Sequence, residues 1–288
     1  MVDELNSKKP EIKSFIDNIF IFISKVKYCG NHPLRTINAV KSIIGIDPGS
    51  PPRSLLKWVE DYMGKFKPSF DLLDFKDQKN VPEIITYMQF EKYILDKNED
   101  ESIKYLGYLL ISSSPTSIAE YLIQIASKIS IDKLLFCWAA YRAIQFLGDN
   151  KGYPLLYHCI SSLIISQEHN KENKFIEYQF YCYQFQIKNH HMVRGEKIIP
   201  LINNFLQHLN YDDFSQYINS VSNVFKNQIK SHGIEGIHNY LSMLDSSEIT
   251  EDVILKLDTL RSAILFSEYS IDEILNGKFI KSRDLNYA

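Results

Sequence analysis

This 288-residue sequence has little of what usually announces chemistry. Its four cysteines, Cys29, Cys137, Cys159 and Cys182, are far apart and form no C-x-x-C pair. That spacing excludes a zinc knuckle or a thioredoxin-type motif and leaves buried, reduced thiols. There is no H-E-x-x-H, G-x-S-x-G, G-x-x-x-x-G-K-[ST] or G-x-G-x-x-G. Zincin, hydrolase-elbow, P-loop and Rossmann chemistries each lack their first residue. Charge of one sign is also missing: the net value is −3 with a pI near 6.3. The lysines are scattered among aspartates and glutamates, so no electrostatic footprint for nucleic acid or anionic lipid forms.

Long hydrophobic runs are absent too. The first apolar stretch, residues 12–26, is interrupted by Lys13, Asp17 and Asn18 and fits neither a secretory signal nor a membrane span. A soluble, cytoplasmic protein is the expectation. Strict alternation of apolar and polar residues, the mark of a half-buried strand, is sustained nowhere. Residues 178–187 place aromatics at about every second position, but their Glu, Gln and Lys content and their helical neighbours read as helix.

What remains is helical spacing almost throughout. The periodicity predicts an all-α fold, a multi-helix bundle or irregular array of antiparallel helix pairs spanning 1–288 as one domain. A subdivision is also readable: an N-terminal helical unit over 1–66, a loop over 67–81 and a main helical body over 82–288. Pro10-Glu11 opens the first helix, to about 27, and Asn31 is placed to cap the second, with Pro33 in its first turn and Gly45 at its end. A third begins at Arg53 or Ser54 after a Pro- and Gly-rich turn. Residues 64–81 lose the period, which marks a candidate mobile loop. Helices are then expected over 82–95, 101–111 with Asp100 as cap, and 115–129 behind Ser114. After 166 they follow over 172–191, 196–209, 212–231, 234–244, 250–266 and 271–275. No fixed repeat period appears.

The organising stretch is 131–166. Its first half is apolar around the whole helical wheel, with Asp132 and Lys133 at the entry and Arg142 as the one charge inside. Its second half carries no formal charge and a single imidazole, His158. Gly148 suits the cap that ends one helix, and Pro154 suits the first turn of the next. The product is expected to be a buried antiparallel pair.

His158 and Arg142 are therefore the leading functional candidates. An imidazole in such a helix must be hydrogen-bonded, bind something or titrate low, and Ser161 and Ser162 are the partners within reach on its own helix. A buried guanidinium needs a carboxylate, carbonyls or an anionic ligand, with Glu120 or Glu177 as structural partners. Glu235 and His238 have the E-x-x-H spacing of carboxylate-bridged di-iron sites, but one copy is present where two are needed. His190 and His191 are adjacent and point about 100° apart on a helix, so they do not chelate together. No metal site is expected. The eighteen tyrosines and seventeen phenylalanines either form core or line an aromatic pocket for a planar ligand.

The run Asn31-His32-Pro33, the helix ending Ile44-Gly45 and the following Trp58-Val59-Glu60-Asp61-Tyr62 resemble the N-terminal region of the questin oxidase-like family. The likeness covers roughly 28–68. It implies an all-helical protein performing Baeyer–Villiger-type oxidation of an oxygenated aromatic or polyketide-like substrate; the cofactor is left open, NADPH being one the resemblance allows. His32 would match the family's N-terminal histidine, and His158 and the His232-Gly233 pair would echo later ones. The chain is shorter than the family pattern and has no His-Ala-Val-Thr run.

Such chemistry needs a base and an oxyanion stabiliser in an apolar enclosure. The expected catalytic set is His32, His158 and Arg142, with Arg35, Trp58, Tyr62, Trp138 and Tyr157 binding substrate. The expected partner is a small-molecule substrate, with no nucleic acid and no membrane, and a homo-oligomer is left open. The competing reading is a non-catalytic helical scaffold or interaction module whose histidines and aromatics are core.

Overall fold

The computed structural model describes residues 2–28, 32–69, 81–165, 174–189 and 222–276, and within these the fold is all-α with no strand. The helices are α1 (Val2–Ile23), α2 (Leu34–Ile44), α3 (Arg53–Met63), α4 (Tyr87–Leu95), α5 (Glu99–Ser112), α6 (Pro115–Ser127) and α7 (Ile131–Leu147). After them come the single turn α8 (Asp149–Gly152), α9 (Leu155–Ile164), α10 (Lys174–Asn189), α11 (Asn223–His232), α12 (Gly236–Met243), α13 (Glu251–Phe266) and α14 (Ile271–Leu275). No helix among the described residues is long and apolar enough to cross a membrane.

α7 is the hub, for the reason its composition gives. An all-round apolar helix has no face to offer water, so it must be covered on every side. It packs against α6 most extensively, and also against α2, α9, α8, α10 and α1. Its residues from Leu134 to Tyr141 are buried without interruption. Ser130 starts it, accepting a hydrogen bond from the Lys133 amide, and Gly148 ends it with φ +79°, a conformation that costs glycine little and other residues much. Just beyond, Gly152 lies so close to Ile144 that a Cβ there would stand 2.8 Å from the Ile144 Cα. The absent side chain lets α8 fold back onto the end of α7. A second layer is built from α10 and α13, which pack extensively on each other, with α2 inserted between α13 and α7.

Several boundaries differ from the sequence expectation. α1 runs through Pro10 rather than opening there, and stops at Ile23. The next residues tighten into a turn in which the amides of Lys25 and Val26 bond the carbonyls of Phe22 and Ile23, so the carbonyls of Ser24 and Val26 are open to other donors. Asn31 lies outside the described residues, and Pro33 immediately precedes α2. α4 begins at Tyr87 rather than 82 because Thr86 caps it through the Gln89 amide. Asn98, not Asp100, caps α5. The 70–80 part of the expected loop, His190, His191 and the helix expected over 196–209 lie outside the described residues.

Candidate functional site

His32 and His158, 126 positions apart in sequence, meet ring to ring with centroids 4.4 Å apart. His32 precedes α2; His158 sits on the buried side of α9. Each donates its Nε2–H to a carbonyl in the turn after α1: His158 to Ser24 at 2.9 Å, His32 to Val26 at 3.1 Å. A carbonyl only accepts, so in both neutral rings the proton is on Nε2 and Nδ1 is the acceptor. The Leu34 amide approaches His32 Nδ1 at 3.4 Å, consistent with that tautomer. Aromatic rings enclose the pair. Phe136 stands edge-on to His32 at 5.7 Å, Tyr28 stacks on it at 6.0 Å, and Tyr157 stands edge-on to His158 at 5.4 Å.

Both imidazoles are held neutral. Burial, then the neighbouring His158, pushes His32 down to about 3. Burial pushes His158 down to about 4, against the opposing pull of the Ser24 carbonyl. The expected partners of His158 on its own helix are engaged elsewhere: Ser162 donates to the Cys159 carbonyl and Ser161 to Glu99. The imidazole projects away from its own helix and reaches the end of α1 instead.

Arg142 belongs to a different neighbourhood. It lies six residues beyond Phe136 on α7, about 9 Å along the axis and about 120° around it. Half-buried, its guanidinium lies over the Trp138 ring at 5.9 Å, and the groups that act on its charge are Arg261, Asp258, Tyr183 and Tyr141. Lys41 of α2 donates to the Arg142 carbonyl at 3.2 Å, and its ammonium stands 6.0 Å from the Phe20 ring and 5.6 Å from the Phe146 ring. Asp258 of α13 accepts from Arg261 Nε at 2.6 Å and from the Tyr183 hydroxyl of α10. Burial above all, then the charge of the Asp258 carboxylate and the phenol's bond to it, holds Tyr183 well above the ordinary phenol range.

The other expected binding residues form two further groups. Arg35 pairs with Asp132 at 2.5 Å and donates to Gln179, tying α2 to α7 and α10. Trp58 and Tyr62 stack at 4.8 Å on α3, and Tyr62 donates to Glu251, which also accepts from Thr36. Trp138 stacks on Tyr141 at 5.4 Å inside the core. The structure thus brings His32, His158 and Tyr157 together and leaves Arg142 with Trp138, Arg35 with Asp132, and Trp58 with Tyr62. Of the two carboxylates expected beside Arg142, Glu120 is buried and its charge is felt at Tyr141, and the Glu177 side chain lies outside the described residues.

Several contributors went unmarked in the sequence. The Ser24 and Val26 carbonyls carry no side-chain signal at all. Asp258 and Arg261 were findable: a D-x-x-R pair flanked by Leu257, Leu260 and Ala263 places opposite charges on one inward helical face. Lys41 inside the apolar run 37–44 was a similar signal. The E-x-x-H spacing does not survive folding as a ligand pair. Glu235 lies in a 3-10 turn, and buried His238 of α12 donates Nε2–H to the Ile43 carbonyl at 2.8 Å. Among the described residues no group of three or more His, Cys, Asp or Glu is placed to hold a metal ion. Cys137, Cys159 and Cys182 are free and buried. No family model, curated protein or solved structure matches the chain.

Proposed function

We propose that this chain is a non-catalytic α-helical scaffold or interaction protein whose buried histidines serve the fold. One shared feature carries the reading. His32, His158 and His238, from three parts of the chain, each direct Nε2–H to a backbone carbonyl at or just beyond a helix C-terminus. Helix ends leave carbonyls without intrahelical donors, and a buried carbonyl without a donor costs about 1–3 kcal/mol. For Ser24 and Val26 an imidazole supplies the missing donor, while the Ile43 carbonyl already accepts from the Ile46 amide and His238 adds a second donor; each contact cross-links two segments. Bases at about 3 and 4 are also weak proton acceptors at neutral pH, far from the value that suits general-base catalysis. An interaction role would use exposed Met88 and Leu95 of α4 and Ile84 just before it, which are 80%, 50% and 75% exposed.

A second reading, an oxidoreductase of questin oxidase-like type acting on an oxygenated aromatic, draws support from the His32–His158 approach inside an aromatic surround. In it, the Nδ1 atoms act on a phenolic proton. The two readings separate in one experiment. His158→Ala and His32→Ala are compared with the parent chain for thermal unfolding and for ligand-linked shifts against NADPH and a panel of hydroxylated aromatics. A structural role lowers the melting temperature in both variants and gives no shift with any compound. Turnover of one compound by the parent chain, lost in a variant that melts at the parent temperature, overturns the proposal.

A further inference from the structure

The turn that ends α1 is fastened from outside by four hydrogen bonds. His158 of α9 donates to the Ser24 carbonyl at 2.9 Å, and His32 to the Val26 carbonyl at 3.1 Å. Ser69 supplies the other two: its amide donates to the Lys25 carbonyl at 2.9 Å, and its hydroxyl accepts from the Lys27 amide at 2.9 Å. Upstream, Ile16, Phe20 and Ile23 are buried, and Asp17 stands 3.6 Å from Lys151. α1 packs on α2 and α7, whereas α7 keeps α2, α6 and α9 as neighbours without it. The contacts among those helices therefore do not depend on α1 being in place.

Two of the four fastenings are imidazoles that also face each other. The rings of His32 and His158 lie 4.4 Å apart and are 6% and 0% exposed, with the turn, the Tyr28 ring and Phe136 around them. Two positive charges at that separation in a buried site repel strongly, so the closed turn accommodates neutral rings. Around the pair stand Tyr28, with Lys25 and Lys27 in the turn, and, acting on the Tyr28 phenol, Asp132 and Cys137 of α7, Arg35 of α2 and Cys159 of α9. Arg35 and Asp132 pair with each other at 2.5 Å, and burial raises the Tyr28 phenol and the Cys159 thiol. Of these side-chain types, only imidazole ordinarily changes charge between pH 5 and 8.

We propose that His32 and His158 form an acid-sensitive latch on α1: with both rings neutral the turn after α1 is held closed, and protonation favours a form in which α1 and its turn lift from α2 and α7 while the rest of the helical body stays folded. The latch rests on the structural role given to these histidines above and adds that acid breaks their contacts first. In the open form the Ser24 and Val26 carbonyls turn to water, and each solvated ring takes a proton at its ordinary value near 6.5. Both rings are lowered in the closed form, so closure is strongest above about pH 6.5 and weakens as pH falls. A ring that binds its proton only in the open form shifts the equilibrium about tenfold between pH 7.5 and pH 5.5, and the pair about a hundredfold.

The test is amide hydrogen exchange of the full chain at about pH 7.5 and about pH 5.5 and one ionic strength, read as protection after correction for the intrinsic exchange rate. Amides of residues 16–27 should be less protected than the buried stretch 134–141 of α7 at both pH values, and should lose about a hundredfold of protection on acidification. His158→Gln and His32→Gln keep an N–H donor for the carbonyl but remove the titration, and each cuts that loss to about tenfold. Either variant decides the point if the other does not fold. The latch is overturned if residues 16–27 and 134–141 share one protection value at both pH values, which makes the opening global. It is overturned equally if the α1 amides lose less than about threefold, or if a folded variant keeps the full loss. Each of these outcomes leaves the structural role of the histidines standing, and the ligand-linked thermal shifts test that role separately.

Discussion

The histidine cluster and the charged groups around Asp258 handle the same problem in opposite ways. At the end of α1, buried polar groups come in matched sets: each neutral imidazole has a carbonyl, and rings fill the remaining space. At the seam of α2, α7 and α13, the groups are charged and the match is incomplete. A neutral donor is fully accommodated by one acceptor, whereas a buried ion needs a counter-charge and a set of hydrogen bonds. In the first region neutral donors meet backbone carbonyls; in the second, cationic groups act around one carboxylate.

The largest effect is expected where an existing counter-charge is removed. Asp258→Ala leaves Arg261 and Tyr183 buried without their shared acceptor, and the loss is about 3–5 kcal/mol by chemical denaturation. A loss below about 1 kcal/mol would show that these charged groups are solvated and erase the contrast between the two regions.

Acid titration gives the next effect. Both folded-state histidine values, about 3 and about 4, lie below the unfolded value near 6.5, so the unfolded chain binds more protons between them. Stability from this source is full above about pH 6.5 and falls as pH drops toward 4 and then 3, by an amount on the order of several kcal/mol for the pair. Replacing His158 with Phe should flatten the slope in that window when unfolding is followed from pH 7 to pH 4. An unchanged slope would mean that the imidazoles are not held neutral by the fold.

Met88→Lys, on α4, is the smallest: it should alter stability by no more than about 0.5 kcal/mol. A larger loss would place Met88 in a packed contact and take α4 out of the exposed class.

Much of the fold was legible because local rules and burial agree along this chain. Ser114 and Pro115 at the start of α6, Gly148 at the end of α7, and the short α14 follow from capping and spacing. Expectation failed at α1 and α4, where caps and tight turns shift the ends. The candidate residues divide in a comparable way. That His158 is buried on an uncharged helix was readable from composition, but its partner was not, since a carbonyl at Ser24 looks like every other carbonyl in the chain. Arg142 was expected to be enclosed beside the histidines. It lies instead about 120° around α7 from Phe136, the residue that meets His32, and about 9 Å along the axis.

By itself, the sequence determined that the chain is helical, that α7 must be covered on all sides, and that an imidazole and a guanidinium would lie among apolar residues. Hydrophobic period and capping chemistry act over a few residues, so they are written in local order. Tertiary structure alone decided which carbonyls His158 and His238 reach. The contacts of His158 and His238 span 134 and 195 positions, set by how elements pack rather than by any spacing along the chain.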